Sequence, residues 1–405
     1  MKNDFTHEEN FIDWLISLRR HFHQYPELSF NEFNTQKKII EILNSLGIEN
    51  KKIAGTGVVG IIRGAEKGKT IAIRADMDAL KIQEERTSLN EQYISLNEGI
   101  MHACGHDGHM AMVLGVARKL QEYKHKLKGN VKFIFQPAEE VPPGGAIEII
   151  KLGELENIDA IIGAHIFTNI PSGEICLREG ALMAGNCMYN ISINGKSGHH
   201  ASPHSTIDPI QIAAEFISNI QSKLKENLPA DVHYVFGNGT IKGGEQFNQT
   251  PDRVDISGSY RMLDEKNLHV IEDTMRESLD LLMKKFRKAD PDLPNYKLRV
   301  TYGYPVLSNN ARFTRRSAEI LKTVFPNVME NIDPVFASED FARYLELIPG
   351  TFIFLGAGNK ATGAVYDNHS NRFDIDENIL ITGVEVFFTL AVDFLNKPEL
   401  YLELN

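Results

Sequence analysis

Cysteine is scarce in this chain of 405 residues. Only Cys104, Cys176 and Cys187 occur, which excludes a disulfide framework and points to a reducing compartment. Positive charge is also short. Lysine and arginine number 43 against 54 aspartates and glutamates, and the net charge of -11 argues against nucleic acid or an anionic membrane as a partner. Long apolar runs are missing. The longest, Ile379 to Leu395, is broken by Glu385 and Asp393 and reads as a buried C-terminal helix, not a membrane span. The opening Met1-Lys2-Asn3-Asp4 has none of the apolar character of a signal peptide, so a cytoplasmic location is expected. Internal repeats and low-complexity segments are absent from the sequence. With 42% hydrophobic and 24% charged residues, the composition is that of a globular protein, and the length suggests two domains.

Short apolar runs alternate with helical periodicity. Ile71-Ala72-Ile73, Val131 to Phe135, Ala160 to Gly163 and Thr351 to Leu355 read as buried strands. Met110, Val113, Leu114, Ala117 and Leu120 share one helical face, which predicts a helix beginning directly after residue 109. The fold class is therefore α/β. The middle of the chain differs: strand-like alternation over Met188 to Asn194, helical periodicity over Asp208 to Leu224, strands at Val232 to Ile241 and Arg253 to Met262, a helix over Lys266 to Phe286, and alternation again over Tyr296 to Tyr304. This βαββαβ order is that of a ferredoxin-like α+β module. It gives a discontinuous domain, 1–185 with 306–405, interrupted by a second at 186–305. Lys288-Ala289-Asp290-Pro291 reads as a surface connection.

The chemistry concentrates in His102-Ala103-Cys104-Gly105-His106-Asp107-Gly108-His109. Cys104 and His106, two residues apart, can face one cation from a loop or extended backbone. Sulfur with imidazole nitrogen suits Zn, Mn, Co or Ni better than Ca or Mg. Other polar groups follow the expected strands: Arg74-Ala75-Asp76 the first, Pro137-Ala138-Glu139-Glu140 the second, His165 the third. Open α/β sheets bind ligands at these ends. Pro137 stops its strand and frees the Glu139-Glu140 pair, so that one carboxylate can hold an ion while the other takes a proton, a division suited to metal-assisted hydrolysis.

These segments, with Arg20-His21-Phe22-His23 through Phe30, Gly198-His199, Ser338-Glu339-Asp340-Phe341 and Asn368-His369-Ser370, resemble the metal-dependent amidohydrolases that include hippurate hydrolases, N-acyl-amino-acid deacylases and auxin-conjugate hydrolases. The resemblance runs nearly end to end. It implies a zinc-peptidase-like catalytic domain, with a mixed sheet between helices, and an inserted lid that commonly dimerises. It implies two divalent ions, Mn or Zn before Co or Ni, held by Cys104, His106, Glu140, His165 and His369, with Cys104 bridging and Glu139 as general base. On its residues alone His369 reads as a surface histidine. The resemblance further implies that His199 stabilises an oxyanion, that Asn248 and Arg261 hold a substrate carboxylate, and that Asp76 and Asp107 orient imidazoles. The expected reaction is hydrolysis of N-acyl-amino acids. The same residues are compatible with a carboxypeptidase or dipeptidase, and a noncatalytic binding protein on the same scaffold is the reading from another class.

The chain departs from its relatives in places. Arg74-Ala75-Asp76 stands where more distant relatives carry a His-x-Asp metal motif, which places this chain with the cysteine-containing branch. Gln249 precedes Thr250-Pro251-Asp252, and Ser370 is followed by Asn371 where proline is common.

Overall fold

The apolar runs expected as strands form the centre of an eight-stranded mixed sheet. In spatial order its strands are Glu49–Ile53, Gly57–Arg63, Lys128–Gln136, Glu66–Asp76, Ala160–Pro171, Gly350–Gly358, Ile175–Leu177 and Val328–Glu330. Lys128–Gln136, Glu66–Asp76, Ala160–Pro171 and Gly350–Gly358 run parallel, and Gly57–Arg63 and Glu49–Ile53 extend the sheet antiparallel. The central strands are buried over residues 70–76, 133–136, 160–166 and 350–357, where both faces are covered. Helices His106–Tyr123 and Ile379–Asn396 pack on them and on each other. This computed structural model describes residues 9–288, 290 and 292–403. Met1-Lys2-Asn3-Asp4, and Ala289 and Pro291 of the expected surface connection, lie outside the described residues.

The chain divides into two compact units, one made of Met1–Gly180, Ser308–Asp333 and Glu339–Asn405, the other of Ala181–Leu307 with Pro334–Ser338. The short return segment joins the second unit through backbone pairing. Ala184 donates to the carbonyls of Val335 and Ala337, and Val335 donates to that of Leu182. Within this unit the order Gly185–Asn194, Pro209–Asn227, Tyr234–Gly243, Arg253–Met262, Leu268–Phe286, Asn295–Tyr302 is βαββαβ. The four strands pair antiparallel with the first and third in the centre, which is ferredoxin-like topology. Asp208 caps the first helix by accepting from the Ile210 amide.

Two boundary differences bear on the site. The helix predicted to follow residue 109 starts at His106, because Gly105 at φ 87° turns the backbone into it early. The strand expected to stop at Gly163 continues to Pro171, so His165 lies inside it, just beyond the Arg74–Gly163 pairing with the neighbouring strand.

The helix Ile379–Asn396 is long and apolar enough to cross a membrane, yet Val384, Phe387, Leu390, Ala391 and Phe394 are buried in the core. Phe394 packs its ring against Phe313 and Tyr401. Truncation to alanine removes that contact and leaves a cavity. Phe394→Ala is expected to lower stability by about 3–5 kcal/mol, measured by denaturant unfolding.

Candidate metal centre

The site is built in the first unit from strand ends and the turns that follow them. Asp76 is the last residue of its strand, and the extended chain beyond it brings Asp78 to the same region. Strand Lys128–Gln136 stops before Pro137, and Ala138 adopts a left-handed φ of 53° that reverses the chain into Glu139 and Glu140. Asp78 fixes this turn: its carboxylate oxygens accept from the Glu139 amide at 2.9 Å and the Glu140 amide at 3.0 Å. His369 also has a left-handed φ, 68°, and is pinned by its amide to the Ala103 carbonyl at 2.7 Å. The neighbouring Asn368 donates its side-chain Nδ2 to the carbonyls of Cys104 and Ile166.

Hydrogen bonding sets the imidazole tautomers. His106 Nδ1 lies 2.8 Å from the Asp78 carbonyl, and His165 Nδ1 lies 2.9 Å from the Ile166 carbonyl. A carbonyl can only accept, so each ring carries a proton on Nδ1 and Nε2 is the atom left to ligate an ion. His165 Nε2 is 3.4 Å from Cys104 Sγ, His106 Nε2 is 3.9 Å from Glu140 Oε1, and His369 Nε2 is 3.3 Å from the same Glu140 oxygen. Two ligands of one tetrahedral ion, at bond lengths of about 2.0–2.3 Å, stand about 3.3–3.6 Å apart, which the His165–Cys104 and His369–Glu140 separations match, while the His106–Glu140 separation is longer. Cys104, His106 and His165 form one ligand-capable group, Cys104, Glu140 and His369 another, and the two share the thiol. His106 Nε2 and Glu140 Oε1 are buried without a hydrogen-bond partner. Orphaned lone pairs of this kind fit a bound cation.

Charge supports the same conclusion. Asp76, Asp78, Glu139, Glu339 and Asp340 are all buried, and the buried Arg74 pairs with Asp76, Glu339 and Asp340. Burial, with Glu339, Glu140 and Asp340 around it, pushes Glu139 well above the usual carboxylate range. Burial also pushes the Cys104 thiol up, as do Glu140, Glu139 and Asp76. Burial opposes charge on His106, but Asp76, Asp78 and Glu140 raise its pKa to about 10. In the metal-free chain a proton on His106 thus supplies the positive charge that the carboxylates require.

A model of the peptidase family M20/M25/M40 matches residues 72–393. The chain belongs to this family. It is similar to thermostable carboxypeptidase 1 of Saccharolobus solfataricus, with 38% identity over 405 residues and 98% of each chain covered. The N-acetyl-L-cysteine deacetylase of Bacillus subtilis is 38% identical over 391 residues, covering 95% of this chain and 89% of the relative. Among solved structures, a Bacillus subtilis dinuclear metal binding peptidase of the M20 family superposes with a TM-score of 0.83 at 33% identity, over 96% of this chain and 99% of the other. As an M20/M25/M40 protein the chain is a metal-dependent hydrolase of amide bonds.

The remaining residues expected at the site are placed as follows. Asp76 orients a histidine: its Oδ1 lies 2.6 Å from His109 Nδ1, and it reaches within 3.6 Å of His106 Nε2. His109 is not free to ligate, since its Nε2 accepts from the Ile166 amide. Asp107 also lies beside an imidazole. It is buried, and its Oδ2 contacts Arg19 Nε and His23 Nδ1, both at 2.8 Å, so the imidazole it orients is His23, which is not a candidate ligand. In the second unit, His199 is an exposed residue in a two-residue strand opposite Gln249, and the adjacent His200 amide donates to the Asn248 carbonyl. Arg261 Nη1 donates to the Phe336 carbonyl and Ser338 Oγ of the same unit. Sequence reasoning gave no role to Asp78, Arg74 or Glu339. The i, i+2 spacing of Asp76 and Asp78 at a strand end is the signal that could have found the first.

Metal uptake must displace the proton on His106 and the thiol proton of Cys104. Binding of Mn or Zn to the stripped chain is expected to release protons and to weaken as pH falls, seen by calorimetry in buffers of different ionisation enthalpy. Cys104→Ala, which removes a donor shared by both groups, is expected to hold less than one ion per chain by elemental analysis after desalting.

Proposed function

We propose that this M20/M25/M40 enzyme hydrolyses the amide bond of N-acyl-amino acids, releasing a carboxylic acid and a free amino acid. The observation that carries the reading is the Glu139-Glu140 turn beside two ligand groups that share Cys104. The similarity to a deacetylase of an N-acetylated amino acid supports the substrate class. Cys104, His106, Glu140, His165 and His369 would hold two divalent ions, Mn or Zn before Co or Ni. Such ions, when bound, acidify water and polarise a carbonyl. Glu139 accepts the proton of the attacking water as the new C–O bond forms, then delivers it to the amide nitrogen as the C–N bond breaks. A carboxylate in low-dielectric surroundings whose pKa is raised by its neighbours is suited to both transfers. His199 stabilises the oxyanion, and Asn248 and Arg261 hold the α-carboxylate of the amino acid. The second unit serves as a lid and joins two copies into a homodimer, and the enzyme works in the cytoplasm.

The similarity to a carboxypeptidase along the whole chain favours a second reading, removal of a C-terminal residue from a peptide. Both substrates present a free carboxylate beside the scissile amide and differ at the acyl end. Stripped protein reloaded with Mn or Zn and offered N-acyl-amino acids and dipeptides separates them. Faster metal-dependent amine release from the acyl-amino acids supports deacylation, and preference for peptides supports the alternative. Glu139→Gln is expected to lower kcat by about 10²–10⁴-fold with metal content unchanged. Near wild-type turnover by that variant with metal bound would exclude Glu139 as the proton carrier.

A further inference from the structure

Glu32 is a buried carboxylate with no counter-charge. It is fully shielded from solvent, and among the described residues no cation pairs with it. Burial lifts its pKa to about 6 against the opposing hydrogen bond from Thr56, and Asp78, the charged group facing it, adds to the rise. An arrangement this unfavourable persists only where other contacts hold it in place.

Those contacts lead to the catalytic turn. Glu32 Oε1 accepts from the Ala138 amide at 2.9 Å, and Oε2 accepts from the Thr56 hydroxyl at 2.5 Å. Ala138 is the left-handed residue from which Glu139 and Glu140 follow. Three successive amides, of Ala138, Glu139 and Glu140, are therefore taken up by two buried carboxylates, Glu32 and Asp78. Glu32 is itself fixed at the entry to helix Phe33–Ser45, whose Gln36 side chain donates to the carbonyls of Gly55 and Gly57 beside Thr56. Gly57 touches the other end of the turn: a Cβ there would lie 2.9 Å from Pro137 Cδ.

We propose that Glu32 is a positioning residue that holds Ala138 left-handed and so aims Glu139 at the reacting water and Glu140 at its ion. The proposal rests on the roles assigned above to Glu139 and Glu140. Ala138 carries a Cβ and disfavours this conformation, so without its acceptor the turn relaxes and both carboxylates shift. Glutamine at position 32 keeps an acceptor for Ala138 and can donate to the Thr56 oxygen, so Glu32→Gln conserves the geometry that Glu32→Ala removes.

The test compares Glu32→Ala, Glu32→Gln and Glu139→Gln in the full chain, with kcat and KM on the preferred substrate and, separately, Mn titration of the stripped proteins. Glu32→Ala is expected to lower kcat by about 10- to 100-fold with KM little changed, and to weaken Mn binding by about 10-fold. Glu32→Gln restores both. A raised acid pKa means that the folded chain holds this proton more tightly than the unfolded chain. Its stabilising contribution is complete below the unfolded pKa and is lost as pH rises through about 6. The neutral Glu32→Gln should therefore melt at or above wild type at pH 8. Unchanged kcat and Mn affinity in Glu32→Ala, beside an inactive Glu139→Gln, would overturn the proposal and leave the parent reading intact. An active Glu139→Gln would overturn the parent reading instead, and the Mn titration would then decide the role of Glu32 alone. If Glu32→Ala does not fold, Thr56→Val, which releases Oε2, should shift kcat and Mn affinity in the same direction by less, and no shift in either refutes the proposal.

Discussion

Buried negative charge in excess is the constraint on which the first unit depends. Asp76, Asp78, Glu139, Glu339 and Asp340 are gathered out of water, and Arg74 answers three of them. Burial and neighbouring carboxylates push both Glu139 and Asp340 well above their ordinary range. Like charges that close, in low dielectric, repel unless a cation or a proton intervenes. Divalent ions convert the repulsion into cohesion, so the binding free energy of the metals is also part of what holds these strand ends together. The position of Arg74 inside a central strand, its hydrogen bond to Gln136 and the capture of Asp340 by Gln136 and the Ala146 amide all bind that charge to the sheet.

The broad architecture was legible because it rests on periodicity. Strand segments buried on both faces read as apolar runs, and the change to βαββαβ in the middle of the chain is a change of period that needs no tertiary information. Boundaries were legible only where a local signal marks them. Pro137 marks the end of its strand, but nothing in Ala160 to Gly163 says that the strand runs on to Pro171, since that extension follows from pairing with Gly350–Gly358. The metal centre was half visible. Cys104, His106 and the Glu139-Glu140 pair carry their chemistry in close spacing, whereas His369 depends on a backbone contact to Ala103 that no local pattern encodes, and only family likeness nominated it.

Asp107 serves a histidine other than the one beside it in sequence. Its position beside His106 suggested a shared task, but successive helical residues point about 100° apart, and the early start of the helix turned Asp107 away from its neighbour toward Arg19 and His23. Glu32 shows the converse. It sits far from the motif in sequence, in a stretch that reads as an ordinary helix start, and gains its meaning only when the sheet brings Thr56 and Ala138 against it. Backbone strain is the common thread: Ala138 and His369 are non-glycine residues held left-handed, one beside the proposed proton carrier and the other itself a ligand candidate.

The order of the ligands along the chain sets a timetable for the ribosome. Cys104, His106, Glu140 and His165 emerge early, but His369 and the acidic pair Glu339-Asp340 come only after the whole second unit has been made. A nascent chain stopped short of residue 369 carries one ligand group whole and the other without its imidazole. Both ligand-capable groups are therefore complete only once residue 369 has been made.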